Sequence, residues 1–364
     1  MENLDISEVM LQICLSHDVN EVISLSNKWE EEVKIDDLDY RGMRLSPYFY
    51  ATLKKFNIKS KYEKRLKVLH QFWWIKTNFL QDQLQISCGE LAKNGINPVI
   101  LKGGSLLNYY QEPVLRPMGD IDIMVSFSEI LPSIKVLESL GYSILPEVLP
   151  MLKKSPKMHS DFGHSVNLYN KKLGVEIDLH WRLGHYLSEG ITKAMFGNKE
   201  NHPTINKVYV PNLSYEVIIT ILHAVLSKSL DNLNWYLDIM ILNKNMTYEM
   251  WDEVFDIAIK EEKLDLLLSG IEELKKFNIQ LNIKPHNFRN KKIKLCTYDE
   301  EVASKEKIFI KAKRKVLNNW ISVSLIFPNT TKVSRACDFI RYSWFQFIFR
   351  KDLREIKEKL ITLR

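Results

Sequence analysis

Two aspartates separated by one isoleucine, Asp120-Ile121-Asp122, carry the clearest chemical signal in the sequence. Ile121, Ile123 and Val125 alternate with them as in a half-buried strand. Residues i and i+2 of a strand share a face, so the two carboxylates project together. Like charges that close repel unless a cation neutralises them. Magnesium suits the task, because it takes oxygen ligands and keeps positions open for substrate phosphates. A second alternating run, Val175 to Trp181, puts Glu176, Asp178 and His180 on one face and Val175, Ile177, Leu179 and Trp181 on the other. Laid beside the first strand, it brings a third carboxylate to the pair, either Asp178 or its neighbour Glu176. Three carboxylates on adjacent strands can hold two magnesium ions roughly 3.5–4 Å apart, a geometry that serves in-line displacement at phosphorus.

Upstream lies Leu101-Lys102-Gly103-Gly104-Ser105, directly after an apolar run. Gly103 and Gly104 allow a backbone to approach a triphosphate closely, and N–H groups opening a following helix can bind its oxygens. Ser105 adds a hydroxyl donor. Lys102 and Arg116 are candidates to offset phosphate charge, Arg116 as a fork. The plainer alternatives are a tight strand-to-helix turn and loop-anchoring charges. His180 shares the face of Asp178 and can orient a carboxylate. His223, Trp235 and Asp238 fall on helical segments, where a buried His223–Asp238 pair is the expectation favoured over a role beside the substrate.

The order Gly-Gly-Ser, Asp-x-Asp, then an isolated Asp on a later strand resembles the DNA polymerase β-type nucleotidyltransferase superfamily. The stretches Val99 to Ser105, Arg116 to Asp122 and Glu176 to Trp181, with His223 and Trp235-Tyr236-Leu237-Asp238 beyond, are closer still to a bacterial group of uncharacterised nucleotidyltransferases, itself similar to the AbiEii-type toxins. The resemblance covers roughly residues 60–245 well. It implies Mg²⁺-dependent transfer of a nucleoside monophosphate from an NTP such as ATP to an acceptor, with Asp120, Asp122 and Asp178 as metal ligands. It favours Asp178 over Glu176. It leaves the acceptor open among a small molecule, a peptide, a protein and an RNA.

These residues need elements to position them. Apolar spacing predicts a helix from about Tyr62 to Asn94, ended by Gly95 and Pro98, then a strand at Val99–Leu101. A turn at Gly103-Gly104, a short helix, a loop over 111–119 and the strand Asp120–Val125 follow. A helix over Ser128–Leu140 and a strand at Tyr142–Leu145 come next, with 146–163 irregular among Pro146, Pro150 and Pro156. Residues 164–170 and 173–181 read as a hairpin. Helical patterns return over about 213–228, 233–244, 248–260 and 263–277, and again over 305–322 and 334–362. The predicted class is α+β: a small mixed sheet of four or five strands wrapped by N- and C-terminal helices. The predicted division is 1–95 helical, 96–210 the catalytic core and 211–364 helical.

The bulk numbers fit a folded chain. Of 364 residues 45% are hydrophobic, with 16 Phe, 15 Tyr and 8 Trp, which excludes a chain disordered by composition. A net charge of +6 is compatible with a phosphate-rich ligand. Basic residues between Lys284 and Lys294, and Lys305 to Lys315, read as a solvated face sooner than an RNA site. The apolar run Trp344 to Arg350 reads as packing or an interface. Cys14, Cys88, Cys296 and Cys337 lie too far apart for a zinc motif or disulfide framework, as expected of a cytoplasmic protein. No signal-like start and no membrane span is expected. Two other functions share the motif: a non-catalytic nucleotide-binding module, and a kinase attacking the γ-phosphorus.

Overall fold

Aspartates open the first three long helices. Asp5, Asp18 and Asp39 each accept first-turn N–H groups at the starts of α1 (Ile6–Leu15), α2 (Val19–Glu32) and α3 (Tyr40–Lys55), the caps that helix N-termini require. Helix α4 (Glu63–Lys93) runs 31 residues, about 46 Å at 1.5 Å per residue. It ends where Gly95 takes a φ of 80°, a left-handed cap open to glycine at no steric cost.

The computed structural model describes residues 5–146, 148–154, 156–184, 187–226, 232–283, 334 and 336–343. The basic stretches over 284–294 and 305–315, the predicted helix 305–322, the run Trp344–Arg350 and Cys296 lie outside these residues.

The fold is α+β. Among the described residues its seven strands are β1 (Val99–Ile100), β2 (Ile121–Met124), β3 (Ser143–Ile144), β4 (Ser165–Asn170), β5 (Val175–His180), β6 (Lys199–Asn201) and β7 (Tyr209–Pro211). They form one mixed sheet in the order β3-β4-β5-β2-β1-β7-β6. β1 pairs with β7 in parallel, while β3–β4, β4–β5 and β6–β7 are antiparallel. The sheet exceeds the four or five strands expected, because β6 and β7 are three residues each and show no alternation for a sequence reading to find.

Two compact units divide the chain, Met1–Ile123 with Asn198–Asn290, and Met124–Gly197 with Lys291–Arg364. The first holds α1 to α4, a one-turn helix α5 (Lys102–Leu106), β1, β6 and β7. It also holds α10 (Leu213–Leu226), α11 (Asn234–Asn243), α12 (Tyr248–Lys260) and α13 (Leu264–Lys276). The second contains α6 (Ile130–Ser139), the β3–β5 meander, α7 (Val148–Lys154), α8 (Pro156–Phe162) and α9 (Glu189–Gly197). Residues 146–163 are therefore largely helical, not irregular. Pro156 occupies the first position of α8 and Pro150 the first turn of α7, where a missing N–H is harmless. No helix among the described residues is long and apolar enough to cross a membrane.

Candidate active site

In the first unit the Leu101 N–H donates to the Asp122 carbonyl at 3.1 Å, tying the end of β1 to β2. Lys102 comes next with a φ of 50°, a left-handed conformation that is unfavourable by roughly 1–2 kcal/mol for a residue with a Cβ. The predicted turn at Gly103-Gly104 is thus already helical, because α5 begins at Lys102. The Lys102 Nζ lies 2.6 Å from Asp122 Oδ1. Strand β2 starts at Ile121, so Asp120 stands just ahead of it and is exposed, while Asp122 is only 5% exposed.

A cavity of about 240 Å³ opens at this point. Lys102, Gly103, Arg116, Asp120 and Asp122 all line it. Gly103 has room: a Cβ there would meet Met118 Cγ at 3.5 Å, ordinary contact. Gly104 has none, since a Cβ would come within 2.7 Å of Ile100 Cγ2 and 2.9 Å of Leu84 Cδ2. Its small size lets α5 pack on the strand and helix behind it. Ser105 is fully buried and donates to the Lys102 carbonyl at 3.0 Å. Of the predicted phosphate loop, Lys102 and Gly103 face the cavity, and Gly104 and Ser105 support it from behind.

Arg116 anchors the far wall. Its Nε donates to Asp238 Oδ1 at 2.6 Å, and the Tyr110 hydroxyl donates to the same oxygen at 2.7 Å. Arg116 Nη1 and Arg44 Nη2 both donate to the Pro117 carbonyl, at 3.0 and 2.8 Å. Burial pulls the Arg116 pKa down, but Asp238 and its neighbours outweigh it and hold the guanidinium above its ordinary value. Burial drives the Tyr110 phenol well up, and Asp238 pushes it further. Asp238 is thus the partner of Arg116 and Tyr110, and both it and His223 line the cavity, together with Trp235. The Trp235 indole N–H is buried and has no hydrogen-bond partner among the described residues. Sequence reading missed Arg44 and Tyr110. A lone arginine on the otherwise buried side of α3 was the available signal.

Beneath α5, Glu216 on α10 is 1% exposed. Burial pushes its carboxyl up to about 8, opposed by the Ser105 hydroxyl and reinforced by Asp238. At neutral pH it is a neutral acid, and no motif in the sequence marked it.

In the second unit, β4 and β5 pair over six residues, from Ser165 opposite His180 to Asn170 opposite Val175. The expected alternation is present: Val175, Ile177 and Leu179 are buried, and Glu176 is exposed. His180 departs from it, at 1% exposed. Its Nε2 lies 3.0 Å from Asp178 Oδ2. Glu176 instead accepts from the Asn167 amide at 2.5 Å. Of the two candidate carboxylates, Asp178 thus has the His180 imidazole as a partner and Glu176 the Asn167 amide. Behind the hairpin, a Cβ on Gly163 would sit 2.6 Å from the Trp181 ring and 2.8 Å from the His159 carbonyl, so glycine alone fits this close approach.

Compared with known families, residues 40–275, more than half of the chain, match the family described as uncharacterised nucleotidyltransferase. No curated protein matches the chain.

Proposed function

We propose that this chain, which belongs to the uncharacterised nucleotidyltransferase family, transfers a nucleoside monophosphate from an NTP to a hydroxyl-bearing acceptor and releases pyrophosphate. One observation carries the reading. Residues suited to phosphate, Lys102, Gly103 and Arg116, line the same cavity as the carboxylates Asp120 and Asp122.

Asp120, Asp122 and Asp178 are the residues to hold Mg²⁺, and their oxygen donors fit a hard cation. Bound there, magnesium supplies positive charge against a polyphosphate and its pyrophosphate leaving group. Lys102 and Arg116 add fixed positive charge on the cavity wall. The backbone at Gly103 takes phosphate oxygens, with Gly104 and Ser105 fixing its position. Asp178, oriented by His180, accepts the proton of the attacking hydroxyl.

Incubation with each labelled NTP and Mg²⁺ tests the proposal. Pyrophosphate release is expected with at least one nucleotide and is expected to vanish in Asp120→Asn plus Asp122→Asn. Release that survives in that double variant rejects the mechanism. Product mass separates it from γ-phosphoryl transfer: a kinase adds a single phosphate, a nucleotidyltransferase a whole nucleotidyl group. If no NTP raises the melting temperature in the presence of Mg²⁺, neither chemistry holds, because selective binding to the folded state must stabilise it.

A further inference from the structure

Helix α4 carries two apolar stripes on opposite sides. One, including Leu66, Trp73, Leu80, Leu84 and Leu91, is buried in the first unit. The other runs Val68, Phe72, Ile75, Phe79 and Ile86, which are 59, 49, 63, 38 and 51% exposed. Single exposed apolar residues are ordinary on a surface, but an aligned row is a mark of an interaction site. With Asp82 filling the gap, the steps along this row are 4-3-4-3-4, the repeat by which one helix packs along another.

We infer that this face binds a second copy of the same chain, with the two α4 helices antiparallel about a two-fold axis. The spacing reads the same from both ends. Reversing one copy brings Val68 opposite Ile86, Ile75 opposite Phe79, and Phe72 opposite Asp82. The same register sets Lys64 opposite Glu90. Charge agrees with it on balance: Glu63, Lys64, Arg65 and Lys67 leave the start of α4 net positive, while Asp82, Glu90 and Lys93 leave its end net negative, with Glu90 also 3.1 Å from Lys93 of its own helix. An antiparallel pair matches opposite signs, whereas a parallel pair sets like on like. A two-fold contact is also self-complementary, as a closed dimer requires. The five apolar side chains expose on the order of 100 Å² each. With their flanks they approach the roughly 800 Å² per partner of a standard interface.

Sedimentation velocity of the full chain, from high nanomolar to high micromolar concentration, reads this directly. A monomer–dimer equilibrium is expected. Ile75→Glu with Phe79→Glu is expected to raise the dissociation constant at least about 100-fold, with far-UV circular dichroism and melting temperature unchanged. Should that variant fail to fold, Lys64→Glu gives a gentler test. It weakens the dimer several-fold, and adding Glu90→Lys restores it. The inference is overturned by a monomer at every concentration, whether the stripe is bare or covered by another part of the chain. A dimer indifferent to Ile75→Glu with Phe79→Glu also overturns it. Failure of Glu90→Lys to rescue Lys64→Glu rejects the antiparallel register. None of these outcomes depends on nucleotide turnover.

Discussion

Arg116 in the first unit and Arg182 in the second are buried alike, at 7% and 2% exposed, yet they are held in opposite ways. Arg116 faces the Asp238 carboxylate at 2.6 Å, and its pKa stands above the ordinary value. Arg182 donates to backbone carbonyls, those of Asp161 and Leu187. Burial pushes it down to about 10, against the opposing charges of Glu189 and Asp161. A carboxylate compensates a desolvated guanidinium more fully than carbonyl dipoles do. Depth of burial therefore does not distinguish a candidate site residue from a structural one. The partner and the adjacent space do: Arg116 lines a cavity with two aspartates, whereas Arg182 ties the end of β5 to the segments around α8 and α9.

The largest effect should come from breaking the stronger pair. Asp238→Ala leaves Arg116 buried beside Tyr110 without its counter-charge, and is expected to lower stability by about 3–5 kcal/mol in urea denaturation. A loss below about 1 kcal/mol would mean that the carboxylate is not what holds Arg116.

Next in size is a pH effect in the same unit. The Glu216 carboxyl stands at about 8 in the fold against an ordinary 4.5. Between those values the unfolded chain has lost this proton and the folded chain keeps it. Stability contributed by this group therefore falls as pH rises, by up to about 1.4 kcal/mol per unit. Glu216→Gln removes the slope, so its advantage in melting temperature over wild type should grow from about pH 5 to about pH 8. An advantage independent of pH would show that Glu216 ionises normally.

The smallest effect belongs to the second unit. Arg182→Met keeps an unbranched stem and gives up two hydrogen bonds to carbonyls, so the expected loss is about 1–2 kcal/mol. A loss equal to that of Asp238→Ala would erase the contrast between the two arginines.

Much of the scaffold could be read from periodicity. Helix α4, the β4–β5 hairpin and the run through Asp122 repeat their apolar residues often enough to declare a period, and the structure has all three. Short elements cannot do so: β6 and β7 have three residues each, and Pro150 and Pro156, two of the three prolines that suggested loops over 146–163, sit in first turns instead. Within the site, residues close in sequence were legible, which is why Lys102, Gly103, Asp120 and Asp122 emerged together. The Arg116–Asp238 pair joins positions 122 residues apart, and no local pattern announces it. Glu216 looked like an ordinary first-turn acid of α10, because its burial is decided by what α10 packs against.

The twist at Lys102 changes how mutagenesis there must be interpreted. Alanine deletes the ammonium near Asp122 but still has a Cβ to force through the same strained backbone. Glycine deletes the ammonium and lets the chain relax. Both lack the charge, so the gap in stability between Lys102→Ala and Lys102→Gly measures, at about 1 kcal/mol, the tension stored in the hinge that holds this lysine over the aspartate.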